Sequence, residues 1–140
     1  MSVDSLISSI KIAGSGMEAQ SRRIQVVAEN IANASSTAKV PGGDPYQRKV
    51  ISFVDELDRK TGANLVKTTQ ITRDTAPFPT EYDPASPFSD ESGFVKQPNV
   101  NAIIEMADMR EANRSYEANL QVIKQVRDLI SMSVDLLRST

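Results

Sequence analysis

Two hydrophobic stripes of equal length stand at opposite ends of the chain. Stepping alternately by three and four residues from Val3 meets Leu6, Ile10, Ala13, Met17, Gln20, Ile24, Val27, Ile31 and Ala34, nine of the ten being hydrophobic. The same rule from Met106 meets Met109, Asn113, Tyr116, Leu120, Ile123, Arg127, Ile130, Val134 and Leu137, eight of the ten hydrophobic. Side chains three and four apart share a face only in a helix. At about 1.5 Å per residue each stripe spans roughly 48 Å, so the two are matched in length. Sustained seven-residue repeats favour helix-on-helix packing, and two such helices at opposite chain ends pair most simply as an antiparallel hairpin within one chain.

The helix breakers respect this division. All seven prolines, four of the six glycines and six of the seven Phe plus Tyr lie from Pro41 to Pro98. The chain therefore divides into an N-terminal helix over 1–38, a β-rich, proline-containing middle over 39–98 and a C-terminal helix over 99–140. The predicted fold class is mainly α, a coiled-coil-like pair of long terminal helices with a small β insertion. Ser2 can cap the first helix with Asp4 in its first turn, and Lys39 with Pro41-Gly42-Gly43 ends it. Asn99 or Asn101 can cap the second, with Glu105 near its start and Arg138 near its end; no capping box forms, because Ile104 stands three after Asn101. In the middle, residues 46–53 and 65–72 have β-branched, partly alternating character and predict a hairpin around residues 58–62, with a helical turn at Val54 to Leu57. Residues 76–93 hold too many prolines and turn formers for regular structure and predict a long loop.

Composition removes most function classes. With no Cys and no His, the chain has no thiol nucleophile, imidazole base, disulfide framework or zinc site of the usual kind. A net charge of -2 offers no basic field for phosphate backbones, so nucleic acid is not an expected partner. No signal peptide and no run of about 18 apolar residues stands out, so neither membrane insertion nor a cleavable export signal is expected. The G-x-G-x-x-A spacing from Gly14 to Ala19 resembles a dinucleotide fingerprint, but the heptad runs straight through it and no strand precedes it. Gly14 and Gly16 are better read as a place where another backbone approaches or the helix bends. Asp83, Asp90 and Glu91 match no cation loop and read as a solvated acidic surface. Lys11, Arg22 and Arg23, interspersed with acids, make too weak a basic face for a membrane surface. No cofactor, no metal and no enzyme are expected.

The informative surplus is apolar. Ile7, Ile12 and Val26 stand beside the first stripe, and Val122, Val126, Leu129 and Leu136 beside the second, so each helix offers more apolar surface than one partner covers. Neighbouring chains are the natural cover; a fold-back of residues 40–98 is the plainer alternative. Gln20, Asn30, Asn33, Asn113, Asn119 and Arg127 sit in or beside the stripes, where a buried amide fixes register.

These residues bear a family likeness. SGMEAQ at 15–20, Arg23, VVAENIAN at 26–33 and Ser36-Thr37 resemble the amino-terminal signature of the bacterial flagellar rod and hook axial proteins. GFVKQPNVN at 93–101, EMADM at 105–109 and RSYEAN at 114–119 resemble the carboxy-terminal one, with Tyr82-Asp83-Pro84 ahead of it. The resemblance implies a non-catalytic subunit of the basal-body rod in the periplasm, exported by the flagellar type III apparatus and polymerised into a tubular helical array that transmits torque. Its implied partners are other flagellar rod proteins, copies of itself and basal-body ring or adaptor proteins. The assembly interface is expected to run through Gly14, Gly16, Met17, Ile24, Val27, Asn30, Ile31 and Asn33, and through Asn113, Tyr116, Asn119, Leu120, Ile123, Ile130 and Leu137. A soluble coiled-coil adaptor forming a discrete oligomer is the alternative.

Overall fold

The computed structural model describes residues 3–138, so the expected cap at Ser2 lies outside the described residues. Two long helices bracket a small β-containing middle, as the stripes predict. Helix α1 covers Val3–Ala32 and α2 covers Ala102–Arg138. Between them run β1 (Lys49–Val50), β2 (Phe53–Asp58), β3 (Ala63–Thr68), β4 (Thr72–Arg73), β5 (Thr80–Tyr82) and β6 (Phe94–Lys96), paired antiparallel as β1 with β4, β2 with β3 and β5 with β6.

Helix α1 stops at Ala32, well before Lys39. The Asn33 side chain is the reason: its Nδ2 donates to the Glu29 carbonyl at 2.8 Å while its Oδ1 accepts from Ser36 Oγ at 3.0 Å, so orphan groups of the last turn are met locally. Helix α2 starts where Asn101 Oδ1 accepts from the Ile103 and Ile104 N–H groups at 3.1 and 3.3 Å. Asn99, the other candidate cap, is used elsewhere. No helical turn forms at Val54 to Leu57; these residues are strand, in register with Lys67 to Asn64, and Gly62 closes the turn at φ +66°, where a side chain would be strained. The proline-rich stretch is partly ordered too, because β5 finds β6, Tyr82 packs edge-on against Phe94 at 5.3 Å, and a Cβ on Gly93 would stand 3.0 Å from the Tyr82 ring.

The chain forms two compact units. The first comprises Met1–Ile24, Ser52–Thr69 and Glu111–Thr140. Within it Leu6, Ala13, Ala19, Ala63, Ala112 and Val126 are buried. The β2–β3 hairpin is pinned to α1: the Val66 N–H donates to Ser15 Oγ at 3.1 Å, Lys11 Nζ meets Asp58 at 2.9 Å, and the Arg23 guanidinium lies 6.0 Å from the Phe53 ring centre. The second comprises Gln25–Ile51 and Gln70–Arg110, with Val26, Val27, Ala38 and Val95 buried around Asn30 and Glu105.

The helices run antiparallel, but along a different line from the one the stripes suggest. In the first unit Gly16 lies against Asn119, and in the second Asn30 bonds Glu105. The inward line of α2 is Glu105, Ala112, Asn119 and Val126, each seven after the last, with Asn119 half-buried and the others buried. Met106, Asn113, Arg127 and Val134, members of the hydrophobic stripe, are exposed. On α1 the buried residues are Leu6, Ala13, Ala19, Val26, Val27 and Asn30, and the six-residue step from Ala13 to Ala19 leaves the heptad of the stripe. Val26 and Val126, expected as surplus, are therefore core.

Lys11 holds Asp58 together with the Lys60 N–H at 3.0 Å and Thr61 Oγ1 at 2.8 Å, which lowers the carboxyl pKa from 3.8 to about 2. A group whose native pKa is depressed stabilises the fold above its unfolded value and loses that contribution as pH falls toward the native one. The hairpin should therefore weaken between about pH 4 and 2. A thermal-midpoint titration should show this window flattened in Asp58→Asn; an unchanged acid limb would mean that Asp58 is not linked to folding.

Candidate assembly interface

The most enclosed chemistry in the chain is polar. Asn30 and Glu105 are each about 1% exposed. Glu105 Oε1 accepts from Arg48 Nε at 2.6 Å and Oε2 from Asn30 Nδ2 at 3.0 Å. The Asn30 amide uses all four of its bonding positions: Nδ2 also donates to the Lys49 carbonyl at 2.9 Å, while Oδ1 accepts from the Lys49 N–H and the Tyr46 hydroxyl, both at 2.9 Å. Asn30 thus acts as a one-residue strand partner for Lys49. Arg48 reaches on to Asp74 at 3.3 Å, and its N–H donates to Asn99 Oδ1 at 2.7 Å. Asn99 Nδ2 in turn donates to the Ala76 carbonyl at 3.0 Å.

Burial works against the charged Arg48 guanidinium, but the hydrogen bond and charge of Glu105, joined by those of Asp74, outweigh it and raise the pKa. Burial raises the Tyr46 phenol, reinforced by Glu29 and Glu105 and opposed by Arg73. The hydroxyl remains a donor. This cluster ties α1, α2 and both sides of the middle segment into one network, in which the Glu105 carboxylate bridges the Arg48 guanidinium and the Asn30 amide. Among the described residues no group of three or more potential metal ligands gathers, and no helix is long and apolar enough to cross a membrane.

Sequence reasoning singled out Asn30 but missed its partners Glu105, Tyr46 and Lys49, and Arg48 and Asp74 beyond them. The available signal was an acid, Glu105, on the same heptad line as Ala112 and Val126, a place where an unpaired charge would be costly.

The expected interface residues divide by burial. Val27 and Asn30 are buried; Gly14, Gly16, Met17, Ile24, Ile31, Asn33, Tyr116, Asn119, Leu120, Ile123 and Ile130 are half-buried; Asn113 and Leu137 are exposed. Around them lies the uncovered apolar surface. Ile103 is 80% exposed, Met132 60% and Leu137 79%, with Ile104, Met106, Leu129, Val134 and Leu136 also exposed. Residues 40–98 leave these side chains of α2 uncovered.

The two glycines differ. A Cβ on Gly16 would stand 2.7 Å from Asn119 Nδ2, whereas one on Gly14 would meet nothing within 4 Å. Gly14→Ala should therefore stabilise the isolated chain by about 0.5–1 kcal/mol through helix propensity. Gly16→Val should destabilise it by about 1–3 kcal/mol, part of which Asn119→Ala recovers. Urea unfolding of the three variants decides both, and equal effects at the two glycines would refute the assignment of Gly16 to the helix contact.

Comparison with known proteins gives the architecture its place. Residues 10–38 match the family described as flagella basal body rod protein, and residues 91–136 match the C-terminal family of the flagellar basal body rod FlgEFG proteins. The chain is 55% identical over 138 residues to the flagellar basal-body rod protein FlgC of Agrobacterium fabrum, covering 99% of each. The chain belongs to the FlgC family of flagellar basal-body rod proteins. FlgC of Borreliella burgdorferi is 38% identical, with 95% of this chain and 98% of that protein covered, and FlgC of Salmonella typhimurium is 36% identical, with 94% and 97% covered. The two family matches fall on α1 with its exit and on β6 with most of α2. FlgC-family membership makes the chain a structural subunit of the basal-body rod, and the paired terminal helices are the part of it that the two rod families recognise.

Proposed function

We propose that this FlgC-family chain is a non-catalytic subunit of the proximal rod that joins copies of itself and other rod proteins through its terminal helices, forming a tubular helical array that transmits torque across the periplasm. The observation that carries this reading is the set of apolar side chains left exposed on α2, Ile103, Ile104 and Met106 near its start and Leu129, Met132, Val134, Leu136 and Leu137 near its end. Surface of that extent favours burial against further helices, and contacts between unlike faces propagate along a helix without a template. The Asn30–Glu105–Arg48 network supports it from the other side, because a subunit that carries torque must keep its own helices in register under load. Gly14, Met17, Ile24, Ile31, Tyr116, Leu120, Ile123, Ile130 and Leu137 are assigned to contacts with neighbours, and Asn113 to their polar rim. Basal-body ring or adaptor proteins are further neighbours.

A strain lacking the chain should not swim and should show basal bodies without a completed rod, and complementation should restore both. Sedimentation of the purified chain separates this reading from a coiled-coil adaptor. Open-ended growth, or mixed assembly with rod partners, supports the rod; a small closed oligomer that saturates with concentration overturns it.

A further inference from the structure

The β2–β3 ladder has one closed edge and one open edge. The Thr69 N–H donates to the Ser52 carbonyl at 2.8 Å, which places the hydrogen-bonded pairs at Ser52 with Thr69 and at every second residue after it: Val54 with Lys67, Glu56 with Leu65, Asp58 with Ala63. The intervening residues point their backbone groups out of the ladder. On β3 that set includes Val66, whose N–H is taken by Ser15 Oγ at 3.1 Å, so α1 occupies that edge. On β2 the set is Phe53, Asp55 and Leu57, and among the described residues no hydrogen bond reaches their outward N–H and C=O groups.

The side chains of the same three residues share one face, two apart, in the pattern apolar, acidic, apolar. All three are exposed. The neighbouring acids are already matched, Glu56 by Lys67 at 3.1 Å and Asp58 by Lys11 at 2.9 Å, while Asp55 has no ion-pair partner among the described residues. We propose that the outer edge of β2 is a docking edge that adds an extended segment of another polypeptide, one carrying a lysine or arginine between two apolar side chains at alternate positions. The backbone groups of Phe53, Asp55 and Leu57 supply the hydrogen bonds, Asp55 faces the cation, and Phe53 and Leu57 cover the flanking apolar groups.

Charge decides the occupant. A second copy of β2 laid antiparallel on this edge in full overlap would bring Asp55 directly against its own counterpart, and like charges opposite each other in a sheet are destabilising. The basic Arg59 and Lys60 lie in the turn, beyond the ladder, and do not relieve this. The proposal deepens the rod reading by naming what the middle segment grips, and its test reads the edge alone.

The full-length chain is titrated to millimolar concentration with the peptide acetyl-Val-Thr-Lys-Thr-Val-amide and with its Glu-centred counterpart, while backbone amides are followed by NMR. The Lys peptide should shift and protect the Asp55 and Leu57 amides and bind about three- to tenfold more tightly than the Glu peptide. Asp55→Asn should abolish the difference and Asp55→Lys should reverse it; retention of the β2–β3 cross-strand contacts in both variants shows that the hairpin is intact. No protection of these two amides, equal binding of both peptides, binding elsewhere on the chain, or protection of β2 by self-association each overturns the proposal. Because swimming depends on α2 and peptide protection on β2, loss of one leaves the other readable.

Discussion

Glu105→Ala should lower the unfolding free energy by about 2–4 kcal/mol. The substitution removes one acceptor from a guanidinium and another from a fully enclosed amide, and breaking a buried pair by deleting one partner costs more than the pair contributes. The Arg48 side chain keeps 24% of its surface, so water reclaims part of its charge; Asn30 is enclosed and has no such recourse. A chain of 140 residues whose apolar core leans on alanines and valines has little margin to absorb the loss. Glu105→Gln, which keeps the shape and one acceptor, should lose about half as much. Urea unfolding followed by far-UV circular dichroism measures both, and a change below about 0.5 kcal/mol for the alanine variant would mean that the network does not hold the helices together.

Leu129→Glu combined with Met132→Glu should leave the isolated chain almost unchanged and abolish swimming. Both side chains are already exposed, on the same face of α2 and three residues apart, so the folded monomer gives up little and the stability change should stay within about 0.5 kcal/mol. In an assembly the same positions would place two carboxylates in a helix–helix seam, repeated in each subunit, where unpaired charge costs several kcal/mol each time. The contrast between silent unfolding and lost motility is the readout. Wild-type swimming by a strain carrying the double variant would show that this face stays in water in the finished rod.

Helix existence and the broad division of the chain were legible because local rules decide them. A run without proline, apolar at three- and four-residue steps, has one economical conformation, and Asn101 stands where a cap is needed. The hairpin turn was legible for the same reason, since Gly62 meets a local demand. The family blocks around residues 15–37 and 93–119 were legible as pattern. What failed depended on a competing partner, near in sequence in one case and distant in the other. The stop of α1 looked as if it belonged to Lys39 and Pro41, yet Asn33 ends it first by bonding Glu29 and Ser36. Val54 to Leu57 looked like a turn until their partners Lys67 to Asn64 were in place.

The seam shows the division most clearly. From sequence alone came two helices, their antiparallel sense, an excess of apolar surface and the absence of the usual catalytic groups. Only the tertiary structure decided that α2 buries Glu105, Ala112 and Val126, with Glu105 against Asn30 and Asn119 against Gly16, and leaves much of the greasier stripe outside. Periodicity reports that a helix has an apolar side; it does not say which partner takes that side. Small residues and a satisfied carboxylate allow close approach within the chain, and the bulkier Ile, Leu and Met side chains are left for surfaces that no single chain supplies.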